Sequence, residues 1–257
     1  MPTYRLVVEY DGGAFHGLQF QPELRTVAGV LEAALSAIYH QPVKITAAGR
    51  TDAGVHATGQ VISFDAEREF PIERLALAIN GNTPHDLAVR DVARVADGFS
   101  ARFDARERIY DYLILNRRFP SAVWRARTWY VPRPIDPELF AAAAEPLIGE
   151  HDFISFCGER PERGGTVRTV NAIAFERSGD LLRVTVRGRG FLHHMVRVIV
   201  GTLVDCATGY REPQFAARAL DARDRRAAGT TAPAHGLYLA GVRYDDLDTY
   251  RPVTLSP

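Results

Sequence analysis

The run Ala48-Gly49-Arg50-Thr51-Asp52-Ala53-Gly54-Val55-His56-Ala57 concentrates side chains that could do chemistry. As plain structure it is a tight loop between two strand signals, because Asp and Gly are turn residues and Gly54 can supply a positive φ. As chemistry it displays the Asp52 carboxylate on a short loop, with Arg50 two residues away. A carboxylate stays ionised at neutral pH when a cation offsets its desolvation, and in that form it can attack carbon. His56 reads as a residue that packs or orients this loop.

Three further groups are candidates. Tyr110 shares one face of a period-two strand with Tyr112 and Ile114, which by itself reads as core packing. Arg197 lies beside the apolar stripe of a helix over 192–207, where an unpaired charge would be costly; it snorkels to water or has a partner. His193 and His194 invite a metal reading. Adjacent helical residues point about 100° apart and no third ligand lies at a suitable offset, so no metal is expected. His193 and Arg197, four apart, share a helix side. Arg183, Arg187 and Arg189 fall on one face of a strand over 181–190, which is either a solvated sheet face or a stripe for phosphates.

The elements that must position these residues alternate along the chain. Tyr4, Leu6, Val8 and Tyr10 mark a half-buried strand over 4–10. Thr26 is a suitable N-cap for a helix whose apolar stripe runs from Val27 to Ile38 and stops before Pro42. Strands follow at 43–49 and 60–66, then a helix from Pro71 to Asn80 with proline in its first turn, then a strand at 86–95. The second half repeats this texture: strands at 108–115 and 127–131, a helix from Asp136 to Gly149, strands at 166–176 and 181–190, helices at 192–207 and 213–222, and a strand at 236–244. Two such halves, meeting near 97–107 and divided as 1–105 and 106–257, predict an α+β fold with mainly antiparallel sheets flanked by helices.

Composition narrows the classes. The chain has 257 residues, 46% of them hydrophobic and 24% charged, which excludes wholesale disorder. Cys157 and Cys206 are the only cysteines and form no CxxC pair, which excludes a disulfide scaffold and a cysteine-built zinc site and fits a reducing cytoplasm. No apolar run is long enough to span a bilayer, and the opening residues carry no signal-peptide core. The 31 basic and 31 acidic residues balance, yet Lys44 is the only lysine and the other 30 cations are arginines. Arginine grips phosphate with a planar fork and stacks on bases. Residues 101–134 carry eight arginines against Asp104, Glu107 and Asp111, a local net charge of +5 that can steer a polyanion.

The segment Gly49 to Ala57 resembles the catalytic loop of the tRNA pseudouridine synthase A family, and the likeness runs the length of the chain. Tyr10-Asp11-Gly12 with Gly17 to Gln21, Arg108-Ile109-Tyr110-Asp111-Tyr112, His151-Asp152-Phe153, Thr166 to Val170, Phe191 to Arg197 and Gly236 to Leu239 each resemble a family segment, in order. Leu18 stands where the family usually has tryptophan and Ala28 where it has glutamine; neither carries the chemistry.

The resemblance implies isomerisation of uridine to pseudouridine at positions 38 to 40 of the tRNA anticodon stem-loop. The N1–C1′ bond breaks, the uracil turns, and C5 bonds to C1′. The product is an isomer, so no cofactor or metal is implied, and the chain carries no P-loop or dinucleotide fingerprint. It further implies that Asp52 is the nucleophile, that Tyr110 stacks on the target base, that Arg197 pairs with the aspartate, and that Arg50 holds the flipped nucleotide's phosphate or supports the loop. Arg187, Arg189 and His193 are expected to face substrate. The implied assembly is a homodimer of two-halved subunits with the cleft between the halves, cytoplasmic and off the membrane. A noncatalytic RNA binder and a nucleoside hydrolase use overlapping residues, but the hydrolase usually needs a second carboxylate as acid, and none is comparably placed by the loop. Binding carried by phosphate contacts releases counterions, so tRNA affinity should fall steeply between about 50 and 200 mM salt; filter binding across that range measures the slope.

Overall fold

The computed structural model describes residues 1–162 and 164–255. It divides into two compact units: Met1–Arg108 with Tyr238–Pro252, and Ile109–Leu237 with the chain from Val253 onward. Both are α+β.

The first unit is built on β1 (Thr3–Tyr10), β2 (Thr46–Ala47), β3 (His56–Asp65), β4 (Leu87–Val95) and β10 (Leu237–Arg243, its first residue belonging to the other unit), in the order β4-β1-β3-β10 with β2 beside β3. β1 is antiparallel to both β3 and β4, whereas β10 runs parallel to β3, pairing Tyr238 with His56 and Leu239 with Ala57. Helix α1 (Val27–Tyr39) starts at Thr26, whose hydroxyl accepts from the Gly29 N–H. Helix α2 (Ile72–Gly81) begins after Pro71. Leu31, Leu35, Leu75 and Ile79 are fully buried. Tyr4 stacks on Phe64 at 5.3 Å, and Tyr39 meets Phe64 edge-on at 5.9 Å.

The second unit holds β5 (Glu107–Leu115, its first two residues belonging to the other unit), β6 (Trp129–Tyr130), β7 (Gly149–Asp152), β8 (Val167–Ser178) and β9 (Leu181–Gly188), ordered β5-β9-β8-β7 with β6 parallel to β5. Its helices are α3 (Pro137–Ala144), α4 (Met195–Ala207) and α5 (Phe215–Ala222). Phe140 of α3 packs on Phe175 of β8 at 4.8 Å.

Several boundaries differ from the sequence reading. The helix expected from Asp136 to Gly149 ends at Ala144; a 3₁₀ turn over Glu145–Leu147 contains Pro146, and β7 follows. Helix α4 begins at Met195 rather than 192, because His194 ahead of it has φ of 59°, a left-handed value that cannot continue a helix. The strand expected over 43–49 contracts to Thr46–Ala47.

Both cysteines are free and buried. Burial raises both thiol pKa values, that of Cys206 to about 11. A low thiolate fraction and no access make a thiol inert. Ellman's reagent should therefore react with neither cysteine in the native protein and with both after denaturation; rapid native labelling would contradict the packing.

Candidate active site

The Asp52 loop leaves the sheet at Ala48, whose N–H donates to Val61 O at 2.8 Å. Past that point a side chain takes over from the backbone ladder. The Gln60 amide, fully buried, accepts from Gly49 N–H at 3.3 Å and donates to Gly49 O at 2.7 Å. It also reaches the Tyr10 hydroxyl at 3.4 Å, which in turn lies 2.7 Å from Thr51 Oγ1. Desolvation pushes the Tyr10 phenol up to about 12, against the smaller opposing effect of its Thr51 and Gln60 hydrogen bonds, so it remains a neutral hydroxyl in this network at working pH.

The loop tip is a turn from Asp52 to Val55, closed by Val55 N–H donating to Asp52 O at 3.1 Å. Gly54 has φ of 79°, the positive value required at the third position of a type II turn. Asp52 itself is half-buried and Arg50 is exposed. The segment after β1 covers the loop from one side: Leu18 N–H donates to Thr51 O at 3.0 Å and Gly54 N–H to Phe15 O at 3.4 Å. That approach requires Gly12, where a Cβ would lie 2.0 Å from Val55 O. His56 closes the loop from behind. It is buried, accepts from Gly12 N–H through Nδ1 at 3.1 Å, lies 3.0 Å from the Asp11 carboxylate, and stacks on Tyr238 at 4.7 Å.

The other candidates belong to the second unit. Tyr110 is nearly buried on β5 and meets the Phe191 ring edge-on at 5.3 Å. Its strand neighbour Tyr112 donates to Pro233 O at 2.8 Å; burial holds that phenol well above its ordinary range, and the Arg197 charge pulls the other way. Arg197, half-buried in the first turn of α4, is tied to the 230s segment in both directions: Nε donates to Ala232 O at 2.8 Å and Ala232 N–H donates back to Arg197 O at 3.1 Å.

The histidines precede α4 instead of lying on it, so the helical offsets used to separate them, and to align His193 with Arg197, do not apply. Their rings are 3.7 Å apart, with exposed His193 lying 3.9 Å from the Glu159 carboxylate. Gly158 admits the pair, since a Cβ there would lie 2.7 Å from His194 Nδ1.

The arginine stripe is divided. Arg183 is mostly buried, pairs with Glu176 and donates to Val253 O at 2.7 Å, so it belongs to the fold. Arg187 is half-buried on β9, opposite Ala172 and next to the irregularity that follows Val170; Arg189 lies past the strand end and is exposed. The basic patch is diluted as well, since Arg106 pairs with Asp245 and Arg117 contacts Asp180. Tyr10 and Gln60 are the loop supports that sequence reasoning did not single out. Their only local signal was a polar residue within a strand pattern.

Residues 6–104 and 143–245 match the model of a family described as tRNA pseudouridine synthase, and the chain belongs to that family. It is similar to proteins named tRNA pseudouridine synthase A from Caulobacter sp. strain K31, at 43% identity over 95% of this chain and 99% of that one. The same name is borne by relatives in Halalkalibacterium halodurans, 44% identical over 92% of this chain and 90% of that one, and in Cereibacter sphaeroides, 45% identical over 95% and 98%.

Replacing Tyr10 by Phe removes one buried hydroxyl and strands Thr51 Oγ1. Tyr10→Phe should lower stability by about 1–3 kcal/mol and slow turnover at saturating tRNA, leaving tRNA affinity intact; denaturant unfolding and rate measurements check this.

Proposed function

We propose that this tRNA pseudouridine synthase acts on uridines 38, 39 and 40 of the anticodon stem-loop, with Asp52 as the nucleophile. The observation that supports this reading best is the family match over residues 6–104 and 143–245, joined to a carboxylate held at the tip of a loop whose main chain is fixed at Gly49, Thr51, Gly54 and Val55. A nucleophile on a preorganised loop needs little reorganisation when the substrate arrives.

In this reading the target nucleotide is flipped out of the stem, which costs a few kcal/mol. Tyr110 receives the base by stacking, Arg50 holds the flipped backbone, and Arg197 supplies the cation that keeps the reacting carboxylate ionised. Arg187, Arg189 and His193 contact the RNA. Asp52 attacks carbon, either at C1′ or at C6 of the base; the N1–C1′ bond breaks, the uracil turns, C5 bonds to C1′, the bond to Asp52 breaks to return the carboxylate, and C5 loses its proton while N1 gains one. The reaction is redox-neutral and its atoms balance without a metal or cofactor. The enzyme works as a homodimer in the cytoplasm. Among the described residues, no helix is long and apolar enough to cross a membrane.

The test is tritium release from a tRNA transcript carrying 5-tritiated uridine, because C5 loses its hydrogen when it becomes the glycosidic carbon. Wild-type protein should release tritium with RNA mass unchanged. Asp52→Asn should release none while still binding tRNA. Turnover retained by Asp52→Asn would remove Asp52 from the chemistry, and free uracil in the products would indicate hydrolysis instead.

A further inference from the structure

Arg108 is the second residue of β5, two before Tyr110, and its guanidinium is engaged with main-chain carbonyls. Nε and one Nη both donate to Ala48 O, at 3.0 and 2.9 Å. That same Nη also donates to Arg102 O, and the other reaches Ala105 O at 3.3 Å. Ala48 is the residue from which the Asp52 loop departs. Its N–H is held by Val61 O at 2.8 Å, so the ladder fixes one side of this residue and Arg108 fixes the other. A carbonyl held by two donors of a planar fork is fixed in direction as well as in distance. A lysine at the same place offers a point charge and no fork.

We infer that Arg108 is a positioning residue for the reaction: it grips the Ala48 carbonyl and sets the peptide plane from which the loop bearing Asp52 departs. The inference rests on the reading of Asp52 as the nucleophile. Asp52 lies four positions beyond Ala48, so an angular error at the loop base is carried to the carboxylate. A misplacement of about 1 Å can cost about 10²-fold in rate. In the sequence, Arg108 counts among the eight arginines of the basic segment; its carbonyl contacts give it work distinct from holding phosphate. Arg106, two residues earlier, pairs with Asp245 at 2.7 Å and is likewise engaged within the protein.

The test compares wild type with Arg108→Lys, Arg108→Gln and Arg108→Ala. Single-turnover tritium release at saturating enzyme, tRNA Kd across a salt series, and thermal unfolding are measured for each. Arg108→Lys and Arg108→Gln should both lose about tenfold or more in rate, lysine faring no better than glutamine, with Kd and its salt slope unchanged. Added ethylguanidinium should restore part of the rate of Arg108→Ala. If Arg108→Ala does not fold, the lysine and glutamine variants decide alone. A uniform loss of tRNA affinity with a salt slope smaller by about one and full rate at saturation would make Arg108 a phosphate ligand and overturn the inference. So would a rate loss that tracks lowered melting and that ethylguanidinium leaves unrepaired. Asp52→Asn is measured alongside. If it is inactive and the Arg108 variants run at full rate, only the Arg108 inference fails; if it retains turnover, the underlying reading fails first.

Discussion

The Asp52 loop depends on one buried amide. Where the ladder between β2 and β3 ends, Gln60 presents a carbonyl and an NH₂ to the main chain of Gly49, at 3.3 and 2.7 Å, as a strand residue would. A loop leaving a sheet strands backbone polar groups, and buried ones must find partners. Gln60 meets that need with a side chain, which lets the main chain turn away from the sheet without losing its anchoring. The Tyr10 hydroxyl then extends the network to Thr51, one residue from Asp52. Glycines at 12 and 17 follow from the same constraint, because the covering segment has to reach the loop backbone: Gly12 lies against Val55 O, and Gly17, at φ of 87°, lies against Thr51 O.

The arginine bias has a structural side. A protein with no net charge and a single lysine uses many of its guanidiniums internally. Arg5 holds Asp246, Arg25 forms a two-pronged pair with Asp86, Arg177 reaches Asn116 Oδ1 and Ile135 O, and Arg183 reaches Val253 O. Several of these join segments far apart in the chain. Exposed ion pairs contribute little stability each, but a forked donor also fixes orientation. A count of arginines therefore overstates the cationic surface left for nucleic acid, and the segment 101–134 shows this at Arg106, Arg108 and Arg117.

Legibility in the sequence followed how local each signal was. Helix α1 could be read because Thr26, the apolar stripe and the break at its end all lie within the segment. The positive φ at Gly54 was readable for the same reason. The start of α4 was not, because Leu192 continues the apolar period while the left-handed backbone at His194 interrupts the helix. Strand β7, with the sequence Gly-Glu-His-Asp, has no alternation to reveal it and exists through its pairing with β8. The role of Arg183 was invisible because its carbonyl partner lies 70 residues away. Asp52 stood out through its neighbours, whereas Gln60, which supports them, looks like an ordinary polar residue in a strand.

Strand β10 bears on how the chain comes off the ribosome. It seals β3 by parallel pairing at His56 and Ala57, Gly59 packs under the carbonyl of Ala240, and Thr249 donates to Gly59 O at 2.9 Å. A nascent chain emerges N-terminus first, so β1, β3 and β4 are available long before β10. Throughout that interval the start of β3 at His56 and Ala57, outside the stretch that β2 pairs, is an open edge whose unpaired main-chain groups can template association with another chain. Premature termination at any point between β4 and β10 leaves that edge permanently unsealed, so the first unit, although it opens the protein, stays incomplete until most of the second has been made.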